Sequence, residues 1–462
     1  MPEKYVIHTH PVPNRFKPLA RSGIIAWEEG CLRCAVCVKE KCVYDVYYKR
    51  GLDSRHMIDS IDNLCMNCLR CVQGCPKELI HKSVNPEFEA MGDALFTPDI
   101  IAGLWGQAET GKIPVSGAGY PGPFIGPGFD SMWTDMSEIV RPTRDGIHGR
   151  EYISTAVDVG RTPDHLSFDE KGRLVRQTPL LLDLPLPIIL RVPRFGAMSL
   201  KTIEGWAMAA RSLGTLLAVP QSSLPDLSHD FAPWLMPILG SEPPDEGLIP
   251  TGIRIVEVPW TDRWEKAVTK IREMSPSTLI SIRIPMMEGM EEKALALARA
   301  GTDIMHLEGG EGTPYDWQRL KEGIRSVHLK LVEANVRDEV TLLAGGGFAM
   351  AEHVAKGMIC GADAVFAEFQ MLIALQCRMC RRCVEGLSCP VDIAGASSKW
   401  VAARLVNLIG AWHNQLLELM GAMGIRDARR LRGEVGRAMF FEDLDETTFG
   451  SMNMLKEGYE LE

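Results

Sequence analysis

The sequence has no apolar run of the roughly 18 residues that a membrane-spanning helix needs. Its first residues, Met1-Pro-Glu-Lys-Tyr-Val-Ile-His8, lack the apolar core of a secretion signal. Basic charge is not in excess either, because the formal net charge is −10 and the pI is about 5.7. We therefore expect a cytoplasmic protein with no membrane span and no nucleic-acid partner.

The size and composition are those of a globular protein with more than one domain. The chain has 462 residues, of which 46% are apolar and 24% are charged. This length exceeds that of one typical domain and predicts two or three.

The thirteen cysteines are grouped, which is the most informative feature of the composition. Four lie within 31–42, four within 65–75 and four within 377–389, whereas Cys360 stands alone. Disulfides are rare in a reducing cytoplasm, so grouped cysteines predict metal ligands. Cys360 lies between a predicted helix and a strand, and we expect it to be a small buried hydrophobic residue.

The first two cysteine groups predict a domain that binds two [4Fe–4S] clusters. Residues 65–76 follow the C-x2-C-x2-C-x3-C-P pattern of bacterial ferredoxins, and residues 31–42 are a near-copy with one extra residue. Three closely spaced thiolates bind one corner of a cluster, and the fourth comes from the other group. By that rule one cluster is bound by Cys31, Cys34, Cys37 and Cys75, and the other by Cys65, Cys68, Cys71 and Cys42. A pair of zinc knuckles is the alternative.

A glycine-rich turn precedes the third cysteine group. The predicted strand Val340–Ala344 ends in Gly345, Gly346 and Gly347, and a helical stretch and a second apolar strand (362–367) follow. Adjacent glycines at the carboxyl end of a strand let backbone N–H groups approach an anion such as a phosphate. An ordinary tight turn is the alternative for the glycines alone. Because Cys377, Cys380, Cys383 and Cys389-Pro390 follow with iron–sulfur spacing, the combination favours a flavin that exchanges electrons with a cluster.

Alternating short apolar runs and amphipathic segments predict an α/β fold with a parallel sheet. Eight strands would close a (β/α)8 TIM-type barrel, with 234–239 as the weakest of them, and helices are expected at 261–274, 291–300 and 315–336. Residues 396–440 are expected to be helical and to pack on the barrel. The predicted barrel strands are 187–193, 215–220, 234–239, 252–258, 278–284, 303–307, 340–344 and 363–367.

The region between the cysteine groups and the barrel is less regular. Residues 117–122 match G-x-G-x-x-G, but Pro121, Pro123 and Pro127 forbid a helix there, so we expect a loop and no nicotinamide site. The charged stretch 141–151 is either a solvated face or a substrate or partner surface. The expected domains are 1–80 (α+β, ferredoxin-like), 81–180 (irregular linker or cap), 181–395 (barrel with an iron–sulfur insertion at 377–390) and 396–462 (helical extension).

Four stretches together resemble the FMN-binding synthase domain of glutamate synthase. They are Phe195-Gly-Ala-Met-Ser199, the glycines 345–347, Gly361-Ala-Asp-Ala364 and the cysteine group 377–390. The likeness covers roughly 110–440, and 1–80 resembles a fused ferredoxin, so the arrangement is similar to the archaeal-type large chain. The resemblance implies three iron–sulfur clusters and an FMN at the carboxyl end of the barrel.

The resemblance also implies a set of cofactor contacts. Arg283 corresponds to a strand-end lysine near the pyrimidine edge of the flavin, where a cation favours the anionic reduced form; a surface ion pair is the alternative. The flavin ring is expected at Ala197, Met198 and Ser199, with Gln221 after the second strand. The phosphate is expected at Gly345, Gly346, Gly347, Ala367 and Glu368, with the Glu368 side chain pointing away.

The sequence departs from the family in its substrate loops and in its third cluster. No glycine-rich loops that would handle 2-oxoglutarate occur before Trp260, and Glu308 and Glu311 would repel a dicarboxylate, which needs cationic side chains. The family's [3Fe–4S] cluster uses three cysteines, matched here by Cys377, Cys383 and Cys389. Cys380 adds a fourth thiolate, which predicts [4Fe–4S], with [3Fe–4S] as the alternative.

Two functions therefore remain open. The first is an iron–sulfur flavoprotein oxidoreductase that exchanges electrons between [4Fe–4S] clusters and FMN inside a redox complex. The second is a genuine glutamate synthase subunit that reduces 2-iminoglutarate to L-glutamate. We expect nicotinamide- or ferredoxin-linked partner subunits, and hence a hetero-oligomer. A structural zinc protein is a third idea.

Overall fold

The computed structural model describes residues 5–26, 30–47, 60–113, 126–134, 153–163, 165–175, 178–196, 198–241, 249–309 and 316–448. The predicted loop 117–122, the charged stretch 141–151, Ala197 and Glu311 lie outside the described residues. Within those ranges, no helix has the length and apolar character required to cross a bilayer.

Eight parallel strands close into a barrel, as the sequence predicts. Neighbours in the barrel are also neighbours along the chain, and the last strand pairs with the first through Val365 opposite Ile188. All eight predicted strands are present, including the weakest one. The barrel strands are β6 (Ile188–Arg191), β7 (Leu217–Pro220), β8 (Leu235–Ile238), β9 (Ile255–Pro259), β10 (Leu279–Pro285), β11 (Ile304–Glu308), β12 (Thr341–Gly345) and β13 (Ala364–Ala367).

Amphipathic helices cover the outside of the barrel. In the helix over 320–333, for example, Leu320, Ile324, Val327 and Leu331 are all buried, and their spacing of three or four residues places them on one face. Residues 221–234 are an exception, because they contain two 3₁₀ turns. The helices are α4 (Leu200–Leu213), α5 (Trp264–Met274), α6 (Met290–Arg299), α7 (Leu320–Glu333), α8 (Ala351–Cys360) and α9 (Phe369–Ala374).

The chain after the barrel forms one long helix and then a strand. Helix α10 (Ser398–Ala422) packs against α4 and α8. The expectation of helix through residue 440 was wrong. Gly424, which has φ +71°, follows the end of the helix. Strand β14 (Ala438–Phe440) then pairs with β3 (Met132–Thr134). A residue with positive φ is a common helix terminator.

The described parts of the region 81–180 contain regular helices and strands, although the composition predicted an irregular linker. After a short helix α2 (Pro86–Glu89), helix α3 (Pro98–Thr110) begins at Thr97, whose side chain accepts from Ile100 N–H, and ends at Gly111 in the left-handed conformation. These are ordinary helix start and stop signals. Strand β4 (Val157–Gly160) pairs with β5 (Leu181–Leu184).

The amino-terminal cysteine groups lie beside a two-stranded antiparallel sheet of β1 (Ser22–Ala26) and β2 (Ile80–Val84). A single helical turn, α1 (Arg70–Gly74), packs on the stretch 37–41. Val46, Tyr47 and Cys65 form a small buried core that is separate from that of the barrel.

Candidate functional site

The glycine turn lies at the carboxyl end of β12, in the mouth of the barrel. Gly346 has φ +91°, and a Cβ there would lie 1.8 Å from the carbonyl oxygen of Gly309. A Cβ on Gly345 would lie 2.8 Å from His306 Nε2. The turn therefore requires glycine both for its backbone conformation and for the space that it leaves. This geometry is more specific than an ordinary tight turn.

The turn is supported from below by the segment 128–131. Phe129 stacks on Phe348 with ring centroids 4.9 Å apart. His353 Nδ1 accepts from Ala349 N–H at 3.1 Å, so its Nε2 carries the proton that faces Asp130 Oδ1 at 3.2 Å. The turn and the start of α8 are thus held by both packing and hydrogen bonds.

A buried network of charged side chains forms the floor of the mouth. Glu257 Oε2 lies 2.7 Å from His306 Nδ1, and both side chains are fully buried. Arg191 Nη1 lies 2.5 Å from Glu308 Oε1, and Arg283 Nε lies 3.2 Å from Glu308 Oε2. Arg194 also pairs with Glu308. The strand residues among these groups lie on β6 and on the facing strands β9, β10 and β11, so the network crosses the barrel from one side to the other.

The network shifts the pKa values of its members in opposite directions. Burial raises the pKa of Glu257, but His306, Arg191 and Arg283 outweigh it and lower that pKa to about 2. Burial lowers the pKa of Arg191, but Glu257 and Glu308 raise it above its ordinary value. Burial raises the pKa of Glu368. The mouth therefore combines a firmly ionised carboxylate with one that resists ionisation.

Several buried polar atoms of the floor have no hydrogen-bond partner among the described residues. They are Glu257 Oε1, Ser281 Oγ, His306 Nε2 and Glu308 Oε2. The two carboxylate oxygens are within ion-pair distance of arginines. Because buried polar groups are ordinarily hydrogen-bonded, these atoms indicate a place that a bound polar group would complete.

The predicted flavin-ring stretch lies next to the third cysteine group. Ser199 caps helix α4 in a capping box with Thr202, and its Oγ donates to the carbonyl of Ala394 at 2.8 Å. Met198 N–H donates to the carbonyl of Gly196 at 2.9 Å. Gln221 directly follows β7 in a 3₁₀ turn and is half-buried. Ser199 thus has a structural role, and the flavin contacts of these residues remain predictions.

Three other predicted residues form contacts within the protein. Arg283 does form an ion pair, but the pair is buried rather than on the surface, because Arg283 is 15% exposed and Glu308 is 2% exposed. Glu308, expected to repel an anion, is neutralised by arginines. Glu368 N–H, expected at the phosphate, donates to Gln370 Oε1 at 2.7 Å. The carboxylate of Glu368 is buried with Ala367 at the end of β13.

The third cysteine group contacts both the barrel mouth and helix α3. Phe195 stacks on Phe369 with centroids 4.8 Å apart, and the Arg381 guanidinium lies over Phe195 at 5.6 Å. The indole of Trp105 donates to the carbonyl of Cys377 at 3.3 Å. Burial raises the pKa of the Cys377 thiol to about 12, and three nearby thiols add to this effect: Cys380, Cys383 and Cys389.

The three C-x2-C-x2-C segments share one unusual backbone conformation. In each of them the residues immediately before and after the middle cysteine have positive φ between 53° and 58°. Non-glycine residues adopt this conformation rarely, and alternating right- and left-handed residues form concave N–H nests typical of phosphate and iron–sulfur sites. The residues are Arg33 and Ala35 around Cys34, Asn67 and Leu69 around Cys68, and Met379 and Arg381 around Cys380.

One predicted ligand set lines a small cavity. Cys42, Cys65, Cys68 and Cys71 face a single space beside Lys82 and Tyr47. Within the described ranges, no three His, Cys, Asp or Glu side chains converge closely enough to hold a single metal ion. The ligands of an iron–sulfur cube each bind a different iron, so convergence on one point is not required of them. The residues therefore fit a cluster, and the clusters themselves remain a prediction.

Comparison with known proteins supports the resemblance seen in the sequence. Residues 256–426 match the model of the conserved region in glutamate synthase. The archaeal glutamate synthase (NADPH) of Archaeoglobus fulgidus is 25% identical and aligns over 96% of this chain and 98% of its own length. The archaeal-type glutamate synthase (NADPH) of Dehalococcoides mccartyi is 24% identical over 88% of this chain and 92% of its own.

The chain is thus similar over most of its length to archaeal-type glutamate synthases. This similarity supports an oxidoreductase of the glutamate synthase type. Among solved structures, mandelate oxidase with benzoyl-formic acid aligns with 65% of this chain and 97% of its own, with 14% identity and a TM-score of 0.37.

The sequence analysis did not identify three members of the charged network in the barrel mouth. Arg191, Glu257 and His306 each interrupt an apolar strand, as in Ile188-Ile-Leu-Arg191 and Ile255-Val-Glu257-Val. A charged residue inside a strand that is otherwise fully apolar is rarely buried unless it is paired. That signal is visible in the sequence, but the pairing partners are not.

We predict that Gly346→Ala disrupts the glycine turn, whereas Gly301→Ala does not. Both glycines have positive φ, so each substitution costs about 1–2 kcal/mol of backbone strain. Only at position 346 would the added methyl group also overlap backbone atoms; at position 301 nothing lies within 4 Å. Bound flavin per chain and the thermal midpoint should both fall in Gly346→Ala. Equal flavin content in the two variants would contradict the prediction.

We predict that Glu257 contributes acid-sensitive stability. Its folded pKa of about 2 lies below the ordinary value of 4.5. The contribution is therefore complete above pH 4.5 and is lost as the pH falls towards 2. The free energy of unfolding, measured against pH, should lose this component in Glu257→Gln. An unchanged slope between pH 4.5 and 2 in that variant would count against the ionised buried pair.

Proposed function

We propose that the chain is an iron–sulfur flavoprotein oxidoreductase of the glutamate synthase type, which exchanges electrons between [4Fe–4S] clusters and FMN within a redox complex. The observation that carries the proposal is the identical left-handed backbone around Cys34, Cys68 and Cys380. Two of these segments have ferredoxin spacing, and the third lies against the stretch expected to bind the flavin ring.

The proposed cluster ligands are those of the two-cluster ferredoxin rule, and the repeated geometry supports them. Cys31, Cys34, Cys37 and Cys75 would hold one cluster and Cys42, Cys65, Cys68 and Cys71 a second. In the third segment, Met379 and Arg381 adopt the conformation that flanks the middle cysteine of the other two. Cys380 is therefore placed like a ligand, which favours [4Fe–4S] over [3Fe–4S] at Cys377, Cys380, Cys383 and Cys389.

The glycine turn and the charged floor fit a flavin phosphate and ring. The missing Cβ atoms let the turn pack closely against His306, Gly309 and Leu320, and its backbone N–H groups would bind the anion. Arg283 provides a cation that is fixed by Glu257 and Glu308. When bound, FMN supplies conversion between two-electron and one-electron chemistry. The side chains of the floor would orient the ring and bind its polar edge. Their buried atoms that lack a hydrogen-bond partner in the described part of the chain would then form hydrogen bonds with the ring.

Glutamate synthesis by this chain is in doubt. A dicarboxylate needs arginines or lysines that can pair with it. Arg191, Arg194 and Arg283, which lie at the mouth, each pair with Glu308. With Glu257 also within ion-pair distance of Arg191 and Arg283, two carboxylates offset two of these three positive charges. Reduction of 2-iminoglutarate to L-glutamate remains the second candidate, favoured by the length over which the archaeal-type relatives align.

Redox partner subunits complete the proposal. The relatives named above are described as using NADPH. We propose a nicotinamide- or ferredoxin-linked partner in a cytoplasmic hetero-oligomer.

We predict that anaerobically purified protein contains iron and a yellow chromophore, and that 2-oxoglutarate with ammonia does not reoxidise it after dithionite reduction. The physical reason is the engagement of the arginines at the mouth. Absorbance would be followed anaerobically, with a one-electron oxidant as the positive control. Reoxidation with formation of glutamate would establish the second candidate, and protein without iron or chromophore would overturn the whole proposal.

We predict that Cys380→Ala converts the third cluster to a three-iron form without loss of the other two. The remaining thiolates, Cys377, Cys383 and Cys389, match the three-cysteine pattern. The measurement is the EPR spectrum of the oxidised protein together with iron per chain. Cys360→Ala is the matched control, because Cys360 is buried away from the three groups. A wild-type spectrum for Cys380→Ala would exclude it as a ligand.

A further inference from the structure

The cavity lined by Cys42, Cys65, Cys68 and Cys71, which we call the second cysteine site, contains one side chain that the proposed function does not use. Lys82, on strand β2, lines this cavity. Its Nζ donates to Cys65 Sγ, to Ser22 Oγ at 3.2 Å and to Asn67 Oδ1 at 3.3 Å. An ammonium group is therefore held in fixed contact with a predicted ligand sulfur.

Three hydrogen bonds hold the Lys82 ammonium group in a fixed position. Ser22 Oγ itself bonds to Asn67 Oδ1 at 2.9 Å, and Asn67 precedes the middle cysteine of the segment with φ +57°. Ser22 is opposite Val84 in the β1–β2 ladder, so both strands and the cysteine segment converge at this end of the sheet. The cation is thus part of a built site.

This end of the sheet is also the end that leads to the barrel. After Val84 the chain enters the stretch 85–93, which contacts the third cysteine group. There Gly92 N–H donates to the carbonyl of Arg378 at 3.2 Å, and Asp93 pairs with Arg381 at 3.1 Å. Next to Ser22, Arg21 pairs with Asp99 of helix α3 at 3.0 Å.

The other predicted ligand set lies towards the opposite end of the sheet. Ala26 pairs with Ile80 there. Immediately before Ile80, the Leu79 N–H donates to Cys75 Sγ at 3.4 Å. Because Cys75 belongs to the set with Cys31, Cys34 and Cys37, that set is farther from the barrel along the sheet. The order of the sites is therefore Cys75 set, second cysteine site, third cysteine group.

We propose that the second cysteine site is the barrel-side site of the amino-terminal domain, and that Lys82 raises the reduction potential of the cluster held there. This rests on the proposed function, since it requires clusters to be bound. Reduction adds a negative charge to a cluster, and a cation on a ligand sulfur stabilises the reduced state; net charge and hydrogen bonds to sulfur set cluster potentials. Lys82 thereby favours the reduced state of the cluster at the site adjacent to the barrel.

The test is an EPR-monitored redox titration of the full chain. In Lys82→Met we expect the reduction equilibrium of one cluster to fall about tenfold, which corresponds to about 59 mV for one electron. Lys82→Arg, which keeps the cation, should retain most of the wild-type value. Ser22→Ala, which removes one bond but leaves the charge, should do so as well. Wild-type potentials in Lys82→Met would overturn the tuning role.

The position of the site is tested by magnetic coupling between reduced clusters. Cys68→Ala and Cys34→Ala change the same position of their two segments. By the reasoning given for Cys380→Ala, each change should leave a three-iron cluster in its own segment. We expect Cys68→Ala to alter the coupling seen in the signal of the third cluster, and Cys34→Ala to leave that coupling unchanged. The reverse result would overturn the proposed order.

Iron content separates failure of this inference from failure of the proposed function. If wild-type protein contains no iron, the proposed function fails and this inference falls with it. If iron per chain in Lys82→Met equals that of the wild type while the potentials are also unchanged, only the tuning role of Lys82 fails. In that case Lys82 serves to hold Ser22 and Asn67 together.

Discussion

The burial of charge in the barrel mouth is the constraint on which the rest of the structure depends. Glu257 and His306 are fully buried, and Arg191 and Glu308 are nearly so. Removing one partner of a buried ion pair typically costs about 3–5 kcal/mol, since the other charge is left without compensation. Their strands must therefore keep their mutual register. A floor of this kind is rigid and polar, and it lies in the same barrel mouth as the glycine turn.

Positive φ recurs at each predicted cofactor site. The cysteine segments place non-glycine residues there, whereas the glycine turn uses Gly346, which adopts positive φ without that cost. In non-glycine residues such conformations cost free energy and persist only where the surroundings determine them. Phe129 and the Asp130–His353 pair supply that support beneath the glycine turn. Ser22, Asn67 and Lys82 supply it at the second cysteine site.

The amino-terminal sheet and the barrel are joined by contacts that are distant in sequence. Arg404 of helix α10 donates to the carbonyls of Ala374, Val12 and Trp105, which lie in three separate parts of the chain. Trp105 in turn bonds to Cys377. One buried guanidinium thus links the residues before β1, helix α3 and the barrel at the point where the third cysteine group begins.

The order of the barrel strands and the cysteine pattern are properties of the sequence alone. Apolar runs of strand length alternate with amphipathic helices. A periodic pattern of this kind can be recognised without knowledge of the tertiary contacts. The spacing of the cysteines is local for the same reason. Helix α3 could also have been recognised from Thr97-Pro98 and Gly111, although the proline- and glycine-rich surroundings obscure it.

Only the tertiary structure decided how distant residues meet. Arg283 could be placed at a strand end from the sequence, but whether its partner was solvent, a flavin or Glu308 depends on the closure of the barrel. The same is true of Lys82 and Cys65, which lie on different elements. Local periodicity and spacing are encoded by neighbours along the chain, whereas the partner of a buried charge is set by which strand ends the fold brings together.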